Sequence, residues 1–143
     1  MKFKANSLVP ELSVTDIKRS LHFYCHILGF NIEFERPENG FAYLSFGGSQ
    51  LMLDEDGSPD SPWLVGSMEY PRGQGLNLSI ECPSAKELAN QLARAGIGLQ
   101  KPLEECWYRN GDLDHGELNF LVLDPDGSLL RFQQDLGLRK HEG

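Results

Sequence analysis

Two pairs of short segments in this chain match at nearly the same interval. Leu12-Ser13-Val14 aligns with Leu78-Ser79-Ile80, and Leu28-Gly29-Phe30 aligns with Ala95-Gly96-Ile97. An offset of roughly 66–67 residues calls for a duplicated unit rather than a solenoid. Each copy reads strand–helix–strand–strand–strand. In the first copy Val9 to Val14 alternates loosely as a strand. Pro10 lacks an N–H for a ladder, which places this strand at an edge or at a crossing between chains. Asp16 reads as a helix N-cap. Ile17, Leu21, Tyr24 and Leu28 recur at helical spacing as one apolar face, and Gly29 ends the helix. Phe30, Ile32 and Phe34 alternate with Asn31, Glu33 and Glu35, the pattern of a strand with one wet face. A Pro37-Glu38-Asn39-Gly40 turn leads to a strand from Phe41 to Phe46. Gly47-Gly48-Ser49 turns it into a last strand, Gln50 to Asp54.

The second copy follows a turn-rich acidic stretch, Glu55 to Pro62, that carries a small apolar island at Trp63-Leu64-Val65. Leu76, Leu78 and Ile80 alternate as a strand. Ser84 and Glu87 have the spacing of a capping box. Ala85, Leu88, Leu92 and Ala95 form the buried stripe of the second helix, and Gly96 ends it. Leu99 to Trp107 reads as partly extended, with Pro102 at an edge or kink, and Tyr108 to Gly116 reads as a polar loop. Leu118–Leu123 and Leu129–Phe132 flank Asp124-Pro125-Asp126-Gly127 as a buried hairpin, with Gly127 able to take the positive φ that closes the turn. The expected boundaries are a first module at about 7–54, a linker at 55–74 and a second module at about 75–135, within a single domain spanning 1–143. One half cannot cover both faces of its sheet. The expected fold is therefore α+β: two tandem βαβββ modules forming a curved mixed sheet around a concave groove, with helices outside.

Composition narrows the function. The net charge of −8 disfavours nucleic acid, because little is present to neutralise phosphates, and favours a cationic small molecule by steering. No apolar run reaches membrane-spanning length and MKFKANSLVP has no signal-peptide core, so a cytoplasmic protein without a membrane partner is expected. Cys25, Cys82 and Cys106 lack CxxC spacing and read as reduced, partly buried thiols.

The βαβββ repeat, Val14-Thr15-Asp16, Phe23-Tyr24, Leu28-Gly29-Phe30 and the terminal Asp124-Pro125-Asp126-Gly127 together resemble the vicinal oxygen chelate superfamily. That group holds glyoxalase I, extradiol dioxygenases, fosfomycin-inactivating transferases and bleomycin-resistance proteins. Val9-Pro10-Glu11-Leu12 and Gly127 to Gln134 look most like the bleomycin-resistance proteins. These sequester a cationic glycopeptide drug without chemistry, as dimers that exchange N-terminal strands, and a proline in that strand matches Pro10. The resemblance implies a homodimer, a planar-tailed cationic ligand and no cofactor.

The superfamily's enzymes hold a divalent metal through His or carboxylate ligands on the first and last strands of each half. Those positions fall here at about Val9, at Gly75 or Leu76, at Arg131, and at Met52 or Asp54. A metal needs three or four donors, and a guanidinium repels a cation, so no metal ligands and no catalytic residues are assigned. A metal-dependent glyoxalase- or dioxygenase-like enzyme is the alternative. His22 and His26 share helical i, i+4 spacing but lack the Glu of HExxH, and read as an exposed pair. His115 and Glu117, with Asp112 and Asp114, read as solvated loop residues. In the resistance proteins two aromatic side chains clamp the ligand's flat tail. One matches Phe41, in Phe41-Ala42-Tyr43-Leu44; the other, a tryptophan, falls on His115, a departure for which Trp107 and Tyr108 are the nearest substitutes. The expected ligand-binding set is Phe41, Tyr43, Asp54, Trp107, His115 and Arg131. Glu55, Asp56 and Asp60 are further acids at the expected groove mouth.

Overall fold

The computed structural model describes residues 3–56 and 63–142. The chain forms two compact units. The first takes Met1–Leu76 together with Asp124–Ser128, and the second takes Asn77–Leu123 and Leu129–Gly143. Each unit has its own four-stranded mixed sheet.

In the first unit β1 (Glu11–Val14), β2 (Asn31–Arg36), β3 (Phe41–Phe46) and β4 (Ser49–Glu55) lie in the order β1-β4-β3-β2. β1 runs parallel to β4 at the edge, where a proline just before it costs no ladder bond; the Pro10 carbonyl accepts from Met52 N at 2.9 Å. Leu12, Val14, Ala42, Leu44, Leu51 and Leu53 are all buried on one face of this sheet. Against β4 packs α1 (Ile17–Leu21), capped by the Asp16 carboxylate accepting from Lys18 N and Arg19 N. Glu55 adds to the same helix start by accepting from Ile17 N at 2.9 Å.

The helix does not keep α geometry. His22–Ile27 is π-helical, and the Leu28 N–H donates to the Phe23 carbonyl five residues back. Tyr24 and Leu28 of the expected stripe are buried, together with Ser20 and Phe23, while Ile17 and Leu21 are only half-buried.

A second irregularity lies in β2. Ile32 pairs with Leu44 and Phe34 with Tyr43, so Glu33 is an extra residue. Strict alternation fails at this bulge. Ile32 is exposed, and both Glu33 and Phe34 reach the sheet face that bears Phe41, Tyr43 and Ser45: the Ser45 hydroxyl donates to Glu33 at 2.5 Å, and the Phe34 and Tyr43 rings stack 5.1 Å apart.

The Asp124–Ser128 turn is tied into the first unit. Asp124 is buried and accepts from the N–H groups of Asp126 and Ser128 and from the Tyr24 hydroxyl at 2.7 Å. Asp126 accepts from Thr15 Oγ1 at 2.7 Å. Gly127 sits at φ +83 with the Pro71 backbone 2.5 Å from where a Cβ would stand, so both conformation and space require glycine. Part of the expected linker is structural here: Arg72 donates bidentately to Asp56 (2.9 and 2.6 Å) and to the Ser13 carbonyl. Trp63 and Val65 of the apolar island are exposed. The remainder of the acidic stretch, with Asp60, lies outside the described residues.

In the second unit β5 (Asn77–Glu81), α2 (Ala85–Arg94), β6 (Lys101–Asn110), β7 (Leu113–Leu123) and β8 (Leu129–Lys140) repeat the plan, in the order β5-β8-β7-β6. Ser84 caps α2 by accepting from Glu87 N, with the same backbone angles as Asp16, φ −145 and ψ 104. Ala85, Leu88 and Leu92 are buried; Ala95, expected in the stripe, is exposed because the helix has already ended at Arg94. Leu76 is exposed and precedes β5. The expected polar loop from Tyr108 to Gly116 is instead the tip of a long hairpin, with Asn110 paired to Leu113 across a Gly111-Asp112 turn. Polar residues on both faces of an exposed hairpin leave no alternation to detect.

Candidate functional site

Register decides which residues share a face, because side chains alternate along a strand. In the first unit Phe41 lies directly opposite Asp54, Tyr43 opposite Met52, and Ser13 opposite Asp54 across the other ladder. Glu11, Ser13, Met52, Asp54, Phe41 and Tyr43 therefore share the face turned away from Leu12, Val14 and Leu53. The bulge adds Phe34 to it. The result is an aromatic rack with carboxylates beside it. Phe34 lies between Phe41, at 5.9 Å, and Tyr43, at 5.1 Å.

Parts of this face are occupied by the chain itself. Phe3 packs on Tyr43 at 5.2 Å and on Phe34 at 5.9 Å. Its segment is fixed by Gln50, which accepts from Asn6 N and from the Tyr43 hydroxyl (2.6 Å) and donates to the Lys4 carbonyl. Arg36, paired with Phe41 across β2 and β3, lays its guanidinium 4.1 Å from the Phe41 ring centroid. Burial pushes the Glu11 carboxyl up; the Asp54 charge adds to the rise and Arg36 opposes it. Burial likewise raises Asp54, again opposed by Arg36. Of the other acids expected near the site, Glu55 caps α1 and Asp56 holds Arg72.

In the second unit, β6 and β7 separate the expected residues. Trp107 pairs with Gly116 and Tyr108 with His115, so Trp107 and His115 point to opposite faces. Trp107 lies over Gly116, where an added Cβ would stand 2.6 Å from the ring, and Arg139 covers the indole at 3.9 Å. Its Nε1 donates to Glu105 at 2.8 Å. On the other face, His115 Nε2 lies 2.9 Å from Asp135, and the Asp135 carboxyl is held low by hydrogen bonds from Gly137 N and His115. Glu117 and Asn119 are buried on that face, with Asn119 bonded to Glu117, Lys101 and Tyr108. Arg131 lies two residues from Gln133 on the same side of β8, as the pairings Leu121–Arg131 and Asn119–Gln133 require. Arg131 Nε and Gln133 Oε1 are buried without hydrogen-bond partners among the described residues. Arg131 stands where Asp54 stands in the first unit: each pairs with the serine of the matching Leu-Ser-Val or Leu-Ser-Ile strand.

Of the positions matched to the metal ligands of the resembled superfamily's enzymes, only the one at Met52 or Asp54 offers an oxygen donor, the Asp54 carboxylate. Val9, Gly75 and Leu76 offer no side-chain donor and Arg131 offers a cation. Among the described residues no group of three or more His, Cys, Asp or Glu side chains could hold an ion. The His22 and His26 rings stack 4.8 Å apart on the exposed side of the π-helical turn. Asp114 is engaged by His141 at 2.8 Å and by Arg139. All three cysteines are free thiols; burial pushes Cys82 up to about 11.

Signals for several of these residues were absent from the sequence pattern. Arg36, Glu11 and Phe34 join the first-unit face only through the β2 bulge and the parallel β1–β4 register. Arg139 meets Trp107 only because β8 runs to Lys140.

Two βαβββ units, each with its first strand parallel to its last at the sheet edge, define the glyoxalase type of α+β protein. The chain belongs to the Glyoxalase/Bleomycin resistance protein/Dioxygenase superfamily, whose family model matches residues 6–132. It is 32% identical over 136 residues to proteins named bleomycin resistance protein from Geobacillus stearothermophilus and Staphylococcus aureus, an alignment covering 90% of this chain and 96% of theirs. Among solved structures it is similar to TioX from Micromonospora sp. ML1, with a TM-score of 0.68 at 23% identity, covering 92% of this chain and 100% of that one. A Vibrio cholerae integron cassette protein has a TM-score of 0.65 at 20% identity, covering 94% of this chain and 98% of that one. These two likenesses concern the fold. No helix among the described residues is long and apolar enough to cross a membrane.

Proposed function

We propose that this protein sequesters a cationic, planar-tailed small molecule of the bleomycin class, without metal and without chemistry on it. The observation that carries the reading is the direct pairing of Phe41 with Asp54 on β3 and β4, in a chain whose relatives are named bleomycin resistance proteins. An aromatic face supplies stacking area for a flat ring, and a carboxylate beside it favours a positive charge. The acidic surface speeds capture of a cation. His115, beside Asp135, and Arg131 are the second-unit contributors to the reading, with Trp107 and Tyr43 in supporting, already partnered positions. We read the working form as a cytoplasmic homodimer in which the segment around Pro10 is exchanged.

The test is calorimetry with bleomycin at low salt, with sedimentation alongside. A saturable heat at tens of micromolar protein, of order one ligand per chain, supports the reading. Absence of heat removes bleomycin as the guest, and turnover abolished by a chelator overturns the sequestering role. A monomer at tens of micromolar removes strand exchange.

A further inference from the structure

Arg36 is an exposed arginine at the end of β2, in no ion pair among the described residues, yet its guanidinium lies on Phe41 rather than extending into water. It is a planar monocation 4.1 Å from the centroid of the ring proposed to receive a planar cation, and 5.8 Å from that of Phe34. The pairings Arg36–Phe41 and Phe41–Asp54 place the three residues in one row across β2, β3 and β4. Glu11 lies on the same face, one strand further on. The Phe41 ring is thus already covered by one positive charge from the chain itself, and that charge acts on both carboxyls through space without an ion pair to either.

The geometry points to Arg36 as an internal occupant of a cation subsite formed by Phe41, Asp54 and Glu11, which a ligand must displace. The ligand group that fits is a flat monocation of the amidinium or guanidinium type. This rests on the ligand-binding reading above and gives it a specificity element. A neutral ring finds the Phe41 face covered and gains nothing from the carboxylates. A compact ammonium gains charge but little stacking. A flat cation can take the Arg36 place on the ring with its charge on the carboxylate face, and it releases Arg36 to solvent, a cheap exchange because Arg36 is exposed. Both carboxyls respond to Arg36: it opposes the rise that burial imposes on Glu11 and on Asp54.

The test uses the full chain, with benzamidinium as the probe and neutral benzamide as its near-isostere, titrated by calorimetry or protein chemical shifts. Arg36→Met keeps a long stem without charge. It is expected to bind benzamidinium about tenfold more tightly than the original protein, the scale of one cation–π contact with its charge partner. Benzamide affinity should not change, and Asp54→Asn in the Arg36→Met background should remove most of the gain. Equal benzamidinium affinity in both proteins overturns the inference. So does an equal gain for benzamide, which would make Arg36 a mere cover. Bleomycin titrations separate the two claims. Binding to both proteins with equal affinity leaves the sequestering role standing and overturns the inference. Failure of bleomycin with either protein, alongside a benzamidinium gain in Arg36→Met, does the reverse.

Discussion

Tyr24→Phe removes one oxygen from the centre of the first unit. The Tyr24 hydroxyl is fully buried and donates to Asp124 Oδ2 at 2.7 Å, while Oδ1 of the same carboxyl accepts from Asp126 N and Ser128 N. Asp124 is 3% exposed, so water cannot replace the lost donor. Hydrogen bonds to charged groups contribute about 1.5–3 kcal/mol, and leaving a buried charged acceptor short costs in that range. An expected loss of about 2 kcal/mol at pH 8 corresponds to a fall in Tm of roughly 4–8 °C for a chain of this size. The pH dependence is the sharper signature. Burial raises the Asp124 carboxyl above its ordinary 3.8 despite the three hydrogen bonds that lower it. Between the ordinary and the raised value the folded protein holds more protons than the unfolded one, so stability from this group falls as pH rises through that window and is regained as pH drops. Losing the tyrosine donor raises the folded value further and widens the window upward. Urea unfolding of both proteins between pH 4.5 and 8 should show the variant's deficit shrinking at the acid end. A deficit unchanged across that range would refute the claim that the hydroxyl acts by stabilising a buried carboxylate.

Other perturbations test the remaining parts. Gly116→Ala places a methyl 2.6 Å from the Trp107 ring, and should destabilise by about 1–3 kcal/mol or swing the indole off Arg139, read as a change in Trp107 fluorescence in a Trp63→Phe background. Arg72→Met leaves Asp56 without its bidentate partner and should cost about 2 kcal/mol in urea unfolding, less than a fully buried pair because Asp56 is 34% exposed. Asp54→Asn should weaken bleomycin binding about three- to tenfold with unchanged Tm, measured by calorimetry beside a thermal melt. Raising salt from about 0.01 to 0.15 M should slow bleomycin association while leaving dissociation nearly constant, measured by stopped flow.

The duplicated βαβββ order, both helix caps and the Asp124–Gly127 turn were legible in the residues because each rests on local chemistry: an oxygen for free N–H groups, a glycine for positive φ, a two- or 3.6-residue apolar period. Long-range placement was not local. The extra residue at Glu33 turns Phe34 onto the Phe41 face, and no periodicity announces it. The π-helical turn at His22–Ile27 and the bond from Tyr24 to Asp124, 100 residues away, have no signal in the apolar spacing, and Ser20 and Phe23 are buried beside Tyr24 and Leu28. Trp107 reads as a substitute for the aromatic side chain missing at His115, yet pairing between β6 and β7 sends the two to opposite sides. Arg36 and Asp54 come to flank Phe41 in one row through two ladders at once. A chain's own composition can state that it holds aromatics and acids; only pairing between strands far apart in the chain decides which of them face the same way, because one residue of register reverses every side chain.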